Sequence, residues 1–213
     1  PYRVGNFSVE ANENLTIERI TGFEIGFDWQ VFNDLSASFT LFQDNLRNSV
    51  ANVSDPTDPN DAQRINLGRA RAKGIEIMLD HQLSDNLNLA LSGLFVDSEV
   101  RICPENPGIV GNRFAQAPKH RAIASLLWKP TSWIVQLDAR LESKRYDDAS
   151  NSRLLDPFTS LDLALSRMLS ENTRIRLSVH NLTDEEIQTG LSSAGIISTG
   201  APRNFIMELK WNF

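Results

Sequence analysis

Asn204-Phe205-Ile206-Met207-Glu208-Leu209-Lys210-Trp211-Asn212-Phe213, the last stretch of the chain, alternates without a break. Phe205, Met207, Leu209, Trp211 and Phe213 fall on one side, and Asn204, Ile206, Glu208, Lys210 and Asn212 on the other. A period of two is the signature of a strand, because successive side chains leave opposite faces of the pleat. The stretch stops on an aromatic with no polar tail, which suggests that the end itself is used.

The same period recurs upstream. Phe23, Ile25, Phe27, Trp29 and Val31 alternate with Glu24, Gly26, Asp28 and Gln30; after the turn pair Asn33-Asp34, Leu35, Ala37, Phe39 and Leu41 alternate with Ser36, Ser38 and Thr40. Further strands carry Ile75, Ile77 and Leu79; Leu87, Leu89, Leu91 and Phe95; His120 to Trp128; Trp133, Val135, Leu137, Ala139 and Leu141; Leu161, Leu163 and Leu165; and Ile175, Leu177 and Val179. Residues 1 to about 18 show no sustained period and read as a loop with the ragged end of a strand. Long polar connections are expected at Asn45–Ala62, Arg101–Gln116, Tyr146–Asp156 and Thr183–Gly200, and short turns between them. The reading is all-β: about nine strands, no helix, in an antiparallel up-and-down meander whose connections alternate short and long. That connectivity is typical of a transmembrane β-barrel, whereas soluble sandwiches use Greek-key crossings.

Composition is compatible with this. The chain has 213 residues, 41% hydrophobic and 23% charged, with a formal net charge of −6 that disfavours nucleic acid as a partner. No apolar run reaches the roughly 18 residues of a spanning helix, but a strand crosses with about 9–11, half of them polar. One cysteine, Cys103, excludes an internal disulfide framework and reads as a lone thiol in a loop. No secretory leader is visible at Pro1–Asn6, so the expectation is either a cytosolic protein or the later part of a longer chain.

Alternation does not say which face is inside. The polar face carries Glu24, Asp28, Glu76, Asp80, Asp138, Arg140, Glu142, Asp162, Arg174, Arg176, Glu208 and Lys210, which suits a wet lumen or a solvated exterior. Trp29, Trp128, Trp133 and Trp211 all fall at the short-turn or terminal end, as an interfacial aromatic girdle would. A soluble all-β ligand-binding module and a smaller porin-like barrel remain as alternatives.

At particular residues the chain resembles the C-terminal part of the TonB-dependent outer-membrane receptors. Asn14-Leu15-Thr16-Ile17-Glu18-Arg19 with Gly22-Phe23-Glu24-Ile25-Gly26 resembles the family's N-x-x-L-x-P-E…E-x-G, with Ile17 in place of proline. Asn66 to Glu76 is similar to N-x-G-x-A-x-x-x-G-[VI]-E, and Pro118-Lys119-His120 to P-[KR]-H. Asn181-Leu182-Thr183-Asp184 resembles N-L-[FT]-D-x-x-Y, with Ile187 replacing tyrosine, and Ala201 to Phe213 resembles the closing strand. Five motifs in order are far more specific than any one.

The resemblance implies a segment of a 22-stranded barrel in the outer membrane of a Gram-negative bacterium, serving energy-dependent uptake of a scarce nutrient such as an iron–siderophore complex. Residues 1–213 are then expected to be the C-terminal barrel segment, with the plug domain absent and the TonB complex reached only through that plug. Outer-membrane lipid and the barrel-assembly machinery are the other implied partners. Phe205, Trp211 and Phe213 are implied as the aromatic strand that this machinery reads. Strand parity gives a separate expectation: a ninth strand descending to the periplasm requires the first to start outside, so nine strands form part of a larger even-numbered barrel.

No catalytic site is expected, since His81, His120 and His180 are scattered, and no cofactor is implied. Asp55, Asp58 and Asp61 lack the pattern of a calcium loop, and no metal site is expected. Glu76, Asp80, Arg174 and Arg176 read as wall residues of the lumen. The four long loops are the candidates for ligand contact, with no individual residue singled out.

Overall fold

The computed structural model describes residues 2–4, 7–54 and 61–212. In chain order it contains β1 (Tyr2–Val4), β2 (Phe7–Glu10), β3 (Arg19–Phe32), β4 (Leu35–Ser54), β5 (Asp61–Ser84), β6 (Leu87–Ile102), β7 (His120–Trp128) and β8 (Trp133–Glu142). There follow β9 (Arg145–Tyr146), β10 (Leu154–Leu155), β11 (Phe158–Ser170), β12 (Thr173–His180), β13 (Gln188–Leu191), β14 (Ile197–Thr199) and β15 (Asn204–Trp211). The one helical turn among the described residues is the 3₁₀ segment Pro107–Ile109. Nine strands (β3 to β8, β11, β12, β15) form the expected antiparallel meander, and β1 and β2 bring that sheet to eleven. Among the described residues β3 pairs only with β4 and β15 only with β12, so the sheet does not close on itself.

Register proves the two faces. Leu35 sits opposite His81, then come Leu89, Leu126, Leu137, Leu163, Val179 and Phe205, one continuous cross-strand row from β4 to β15. One residue nearer the short turns lie the polar-face partners Asn88, Leu127, Gln136, Ala164 and Ser178, and one residue to the other side of the row lie Asp80, Ser125, Asp138 and Asp162. The apolar face is uncovered: this row is half-buried from β4 to β12 and open at Phe205, 74% accessible, and Phe27 on the same face of β3 is 60% accessible. A soluble sandwich stacks a second sheet about 10 Å away over such a face. Here no second layer covers it among the described residues, and the soluble-module alternative fails on that observation. Apolar side chains left outward on a single-layer sheet require lipid as their solvent.

The short-turn end is built by a repeated device. An extra residue interrupts the register just before the turns at Gln30/Phe32, Gln82/Ser84 and Met168/Ser170. At two of these a glutamine spans the bulge: Gln30 Nε2 donates to the Phe32 carbonyl at 2.5 Å, and Gln82 Nε2 to that of Ser84 at 2.6 Å. Bulges tighten the local twist and end pairing in a defined place.

At the other end the structure departs from the expected loops. Residues 45–54 and 61–62 are strand, so the expected loop Asn45–Ala62 shrinks to the stretch between β4 and β5. The expected N-terminal loop holds the hairpin β1–β2, and β2 lies parallel to β5 with Ser8 opposite Asp61. Loops Tyr146–Asp156 and Thr183–Gly200 contain the small pairs β9–β10 and β13–β14. Of the Asp55/Asp58/Asp61 set, Asp55 and Asp58 lie outside the described residues, and Asp61 accepts the Ser8 hydroxyl.

Candidate functional site

The long-loop end is a folded cap, and almost everything buried among the described residues is there. Val53, Ile65, Val100, Cys103 and Ile109 form a small core, with Ala51 and Phe114 against it. Cys103 is 2% accessible and packs as a small apolar side chain.

Three connections build the cap: residues 103–119, 143–157 and 181–203. The first and second exchange backbone and amide bonds: Gln116 N to Tyr146 O at 2.7 Å, Arg113 N to Asn151 Oδ1 at 2.8 Å and Asn151 Nδ2 to Arg113 O at 3.0 Å. Asn151 holds φ at 55°, a left-handed conformation that asparagine tolerates better than most residues. The second and third are joined through Gln188, whose Oε1 accepts from Asp156 N at 3.0 Å while its Nε2 donates to Asp156 Oδ2 at 2.9 Å. Gln116 Nε2 also donates to the Thr189 carbonyl at 3.3 Å, which ties the first loop to the third.

Arg145 is where all three meet. Its Nε donates to Gln116 Oε1 at 3.0 Å, its Nη2 to the Gln188 carbonyl at 2.9 Å, and its Nη1 lies 3.8 Å from Glu142 Oε2. The guanidinium also sits 5.9 Å from the Phe158 ring centroid. Arg145 and Glu142 are both buried, and Glu142 has a second cation in Arg121 at 3.0 Å. Arg145 Nη1 makes no hydrogen bond to Glu142, so desolvation offsets much of that attraction, and the bonds to Gln116 and Gln188 are what hold the guanidinium in place.

Asp148 is the second buried anion. Burial opposes its charge, but the Arg153 N–H, the Ser152 hydroxyl, the Arg153 charge and the Ser152 N–H together outweigh it and hold the carboxyl below its ordinary range. Ser152 Oγ donates to Asp148 Oδ2 at 2.8 Å and Arg153 N to Oδ1 at 2.8 Å, an aspartate-centred turn.

Two clefts open in the cap. One, of about 500 Å³, lies between the upper part of β4 (Leu46, Val50, Asn52) and Arg113, Phe114 and Arg153. The other, of about 520 Å³, lies between Glu10, Asn12, Val53, Gln63 and Glu105. Both have the volume of a small-molecule site. Among the described residues no three His, Cys, Asp or Glu side chains converge as a metal centre.

The quoted sequence motifs turn out to meet in pairs at the strand tops. Asn66 accepts from Thr16 N at 2.8 Å and donates to the carbonyls of Thr16 at 3.1 Å and Asn48 at 2.7 Å, so it clamps the two strand approaches together. Asn181, buried and at φ 52°, donates to Glu185 O at 2.8 Å and accepts from Glu185 N at 2.9 Å. Asp184 then accepts from Arg203 N at 2.9 Å, bringing Asn181–Asp184 against the start of β15. Gly74 is glycine because Phe42 lies over it: an added Cβ would stand 2.6 Å from the Phe42 ring and 2.3 Å from the Phe95 carbonyl.

The three histidines are separate. His180 Nδ1 lies 3.2 Å from Asp162 Oδ2, His81 pairs at 3.9 Å with Asp34, and His120 packs against Phe95 at an interplanar angle of 59° with centroids 4.8 Å apart. Phe205 and Trp211 lie on the outward apolar row of β15, and Phe213 lies outside the described residues. Sequence reading missed Arg145, Asp148 and Gln188. Only Asp148 left a signal, the Asp147-Asp148-Ala149-Ser150-Asn151-Ser152 run of turn formers.

The β-barrel model described as "TonB dependent receptor-like, beta-barrel" matches residues 2–182. The iron-regulated outer membrane virulence protein of Vibrio cholerae is 25% identical over 198 residues, covering 86% of this chain and 30% of that protein. The probable TonB-dependent siderophore receptor PiuA of Acinetobacter baumannii is 22% identical over 216 residues, covering 95% of this chain and 28% of its own length. The crystal structure of the ferric yersiniabactin uptake receptor FyuA from Yersinia pestis superposes with a TM-score of 0.76 at 18% identity, over 92% of this chain and 30% of that one. The chain thus spans about 30% of the length of the curated relatives it matches.

Proposed function

This chain belongs to the TonB-dependent receptor β-barrel family of the Gram-negative outer membrane, whose members are receptors and transporters rather than enzymes, and on that premise we propose that it forms the C-terminal wall and part of the outer cap of a receptor for energy-dependent uptake of a scarce nutrient. The carrying observation is the combination of a lipid-facing single-layer meander with a hydrogen-bonded cap at one end only. The proposed cargo is an iron–siderophore complex, a reading supported by the likeness to an iron-regulated outer membrane protein and to a probable siderophore receptor. Energy would come from the TonB complex acting on a plug elsewhere in the receptor, and the open edges of β3 and β15 would pair with the remaining barrel strands. The test is disruption of the gene encoding this chain in its host, followed by uptake of radiolabelled ferric siderophores with and without a proton motive force. Loss of an energy-dependent component is expected. Unchanged uptake, with a steady ion conductance for the purified protein, would favour the porin-like reading.

We also infer that β15 and the residues that follow it carry the assembly signal, through Phe205, Trp211 and Phe213. The outward position of Phe205 and Trp211 leaves their rings accessible to a folding machine before lipid covers them. Replacing Trp211 and Phe213 by alanine should lower the amount of protein recovered in the outer membrane without changing the thermal stability of the fraction that does insert. Equal recovery would remove the assignment.

A further inference from the structure

β4 changes its facing part-way along. Up to Arg47 its odd-numbered residues turn outward, Phe39 and Leu41 among them. Asn48 then takes a left-handed conformation at φ 56°, and above it Ala51 and Val53 pack inward on the small core with Ile65 and Val100. A single irregular residue re-aims the strand beyond it. The upper part of β4 therefore belongs to the cap and not to the lipid-facing wall.

The same stretch is an open edge. β3 ends its pairing with β4 at Arg19 opposite Arg47, whereas β5 stays paired with β4 as far as Ser54. On the side away from β5, residues 49–54 have no strand partner among the described residues. In an antiparallel ladder every second residue turns its N–H and C=O to that free side.

The cleft of about 500 Å³ runs along this edge, with residues 49–52 on one side and Arg113, Phe114 and Arg153 on the other. Asn151 brings the two arginines together, since it accepts from Arg113 N and donates to Arg113 O two residues before Arg153. Arg113 makes no side-chain hydrogen bond or ion pair among the described residues. Arg153 Nε is buried without a hydrogen bond, 3.6 Å from Asp147 Oδ2, and its Nη1 is 3.9 Å from Asp148 Oδ2. Both carboxylates are engaged elsewhere. Asp147 accepts from Gln116 Nε2 and from Leu191 N at 3.2 Å, and Asp148 from Ser152 Oγ and Arg153 N, each at 2.8 Å. Free cationic donors thus face free backbone groups across one cavity.

We propose that this cleft takes the organic part of a ferric chelate built on an extended amide chain with a free carboxylate. The chain adds to the β4 edge as a further strand, and Arg113 and Arg153 hold the carboxylate. An open edge binds an extended chain through its backbone groups, and guanidinium groups bind carboxylates through paired N–H donors. The carboxylate also supplies the acceptor that Arg153 Nε lacks. The inference rests on the uptake reading above and names the chemistry of its cargo.

The test is titration calorimetry on the protein purified from outer membranes in neutral detergent. The probe is the iron(III) complex of a linear tri-hydroxamate peptide ending in a free carboxylate. It is compared with its C-terminal amide, with its backbone N-methylated form and with an uncharged cyclic tri-hydroxamate complex. The acid is expected to bind at least tenfold more tightly than the amide and than the N-methylated form. In Arg113→Gln/Arg153→Gln the preference for acid over amide should largely vanish, with affinity for the amide kept. Arg113→Gln alone, which removes no bond within the protein, should reduce that preference at least threefold and leave the melting temperature unchanged. Should the double variant lose affinity for acid and amide alike, the single variant decides, and an unchanged preference there would overturn the site. Equal binding of acid and amide, or indifference to N-methylation, would overturn it too. If the acid fails to bind while the cyclic complex binds, the cleft assignment falls and the uptake reading stands. If neither binds, the assignment falls and the gene-disruption assay decides the wider reading.

Discussion

The wall and the cap of this chain are held together by opposite means. In the wall, Leu89, Leu126, Leu137, Leu163, Val179 and Phe205 turn outward on a sheet with no second layer among the described residues, and stability comes from the backbone ladder and from lipid. In the cap, side chains fold inward on one another: Arg145, Glu142, Asp148 and Asn181 are buried and bonded, and Val53, Ile65, Val100 and Ile109 make a small core. A wall substitution is thus felt through its solvent, and a cap substitution through its partners.

The sharpest break in that contrast is Leu163→Arg. Leu163 stands opposite Leu137 and Val179, four residues above the Arg167 level, near the middle of the band. A cation there should cost about 2–4 kcal/mol in reversible unfolding from lipid vesicles. The polar-face neighbour Asp162→Asn keeps an acceptor for Asn181 N, now at 2.8 Å, and should cost clearly less. A harmless Leu163→Arg with a severe Asp162→Asn would reverse the facing of the sheet.

On the cap side, Arg145→Met should cost about 2–3 kcal/mol locally, because it leaves the Gln188 carbonyl without its donor and Glu142 with only Arg121. The expected readout is faster hydrogen exchange in residues 112–119, 145–156 and 186–191 together, with wall strands unchanged. Exchange confined to one loop would deny that the three loops are one unit. Asn181→Ala removes an amide bonded on both sides and places alanine at φ 52°, for about 1–3 kcal/mol. Its effect should appear as fraying of the start of β15, measured by protease nicking near Ala201–Arg203.

The smallest effect is set by pH. The folded Asp148 carboxyl is held below its ordinary value of 3.8, so its contribution is complete above that value. It is lost only as pH falls through the lowered folded value. Exchange at Ser152 and Arg153 should accelerate on acidification below about pH 3.9, and Asp148→Asn should abolish that dependence. Loosening already at neutral pH would contradict it.

Much of the wall was legible in the sequence because lipid on one side and a wet lumen on the other impose a period of two on every strand. The upper halves of β4 and β5 were not legible for the same reason. Above the membrane both faces meet water, so Asn45, Arg47, Ser49 and Asn52 carry no apolar alternation, and an unbroken backbone register with residues 61–71 carries the strand instead. The motifs around Asn66 and Asn181 marked positions whose purpose emerged only when Thr16 and Ala201 were seen beside them.

By itself, then, the sequence determined the strand class, the number of wall strands, the apolar face and the family, since each is written in residues close together along the chain. The tertiary structure alone decided the joining of three loops through Arg145 and Gln188 and the meeting of Arg113 and Arg153 beside the open edge of β4. Those depend on cross-strand register and on contacts between residues tens of positions apart, and a local pattern carries no record of either.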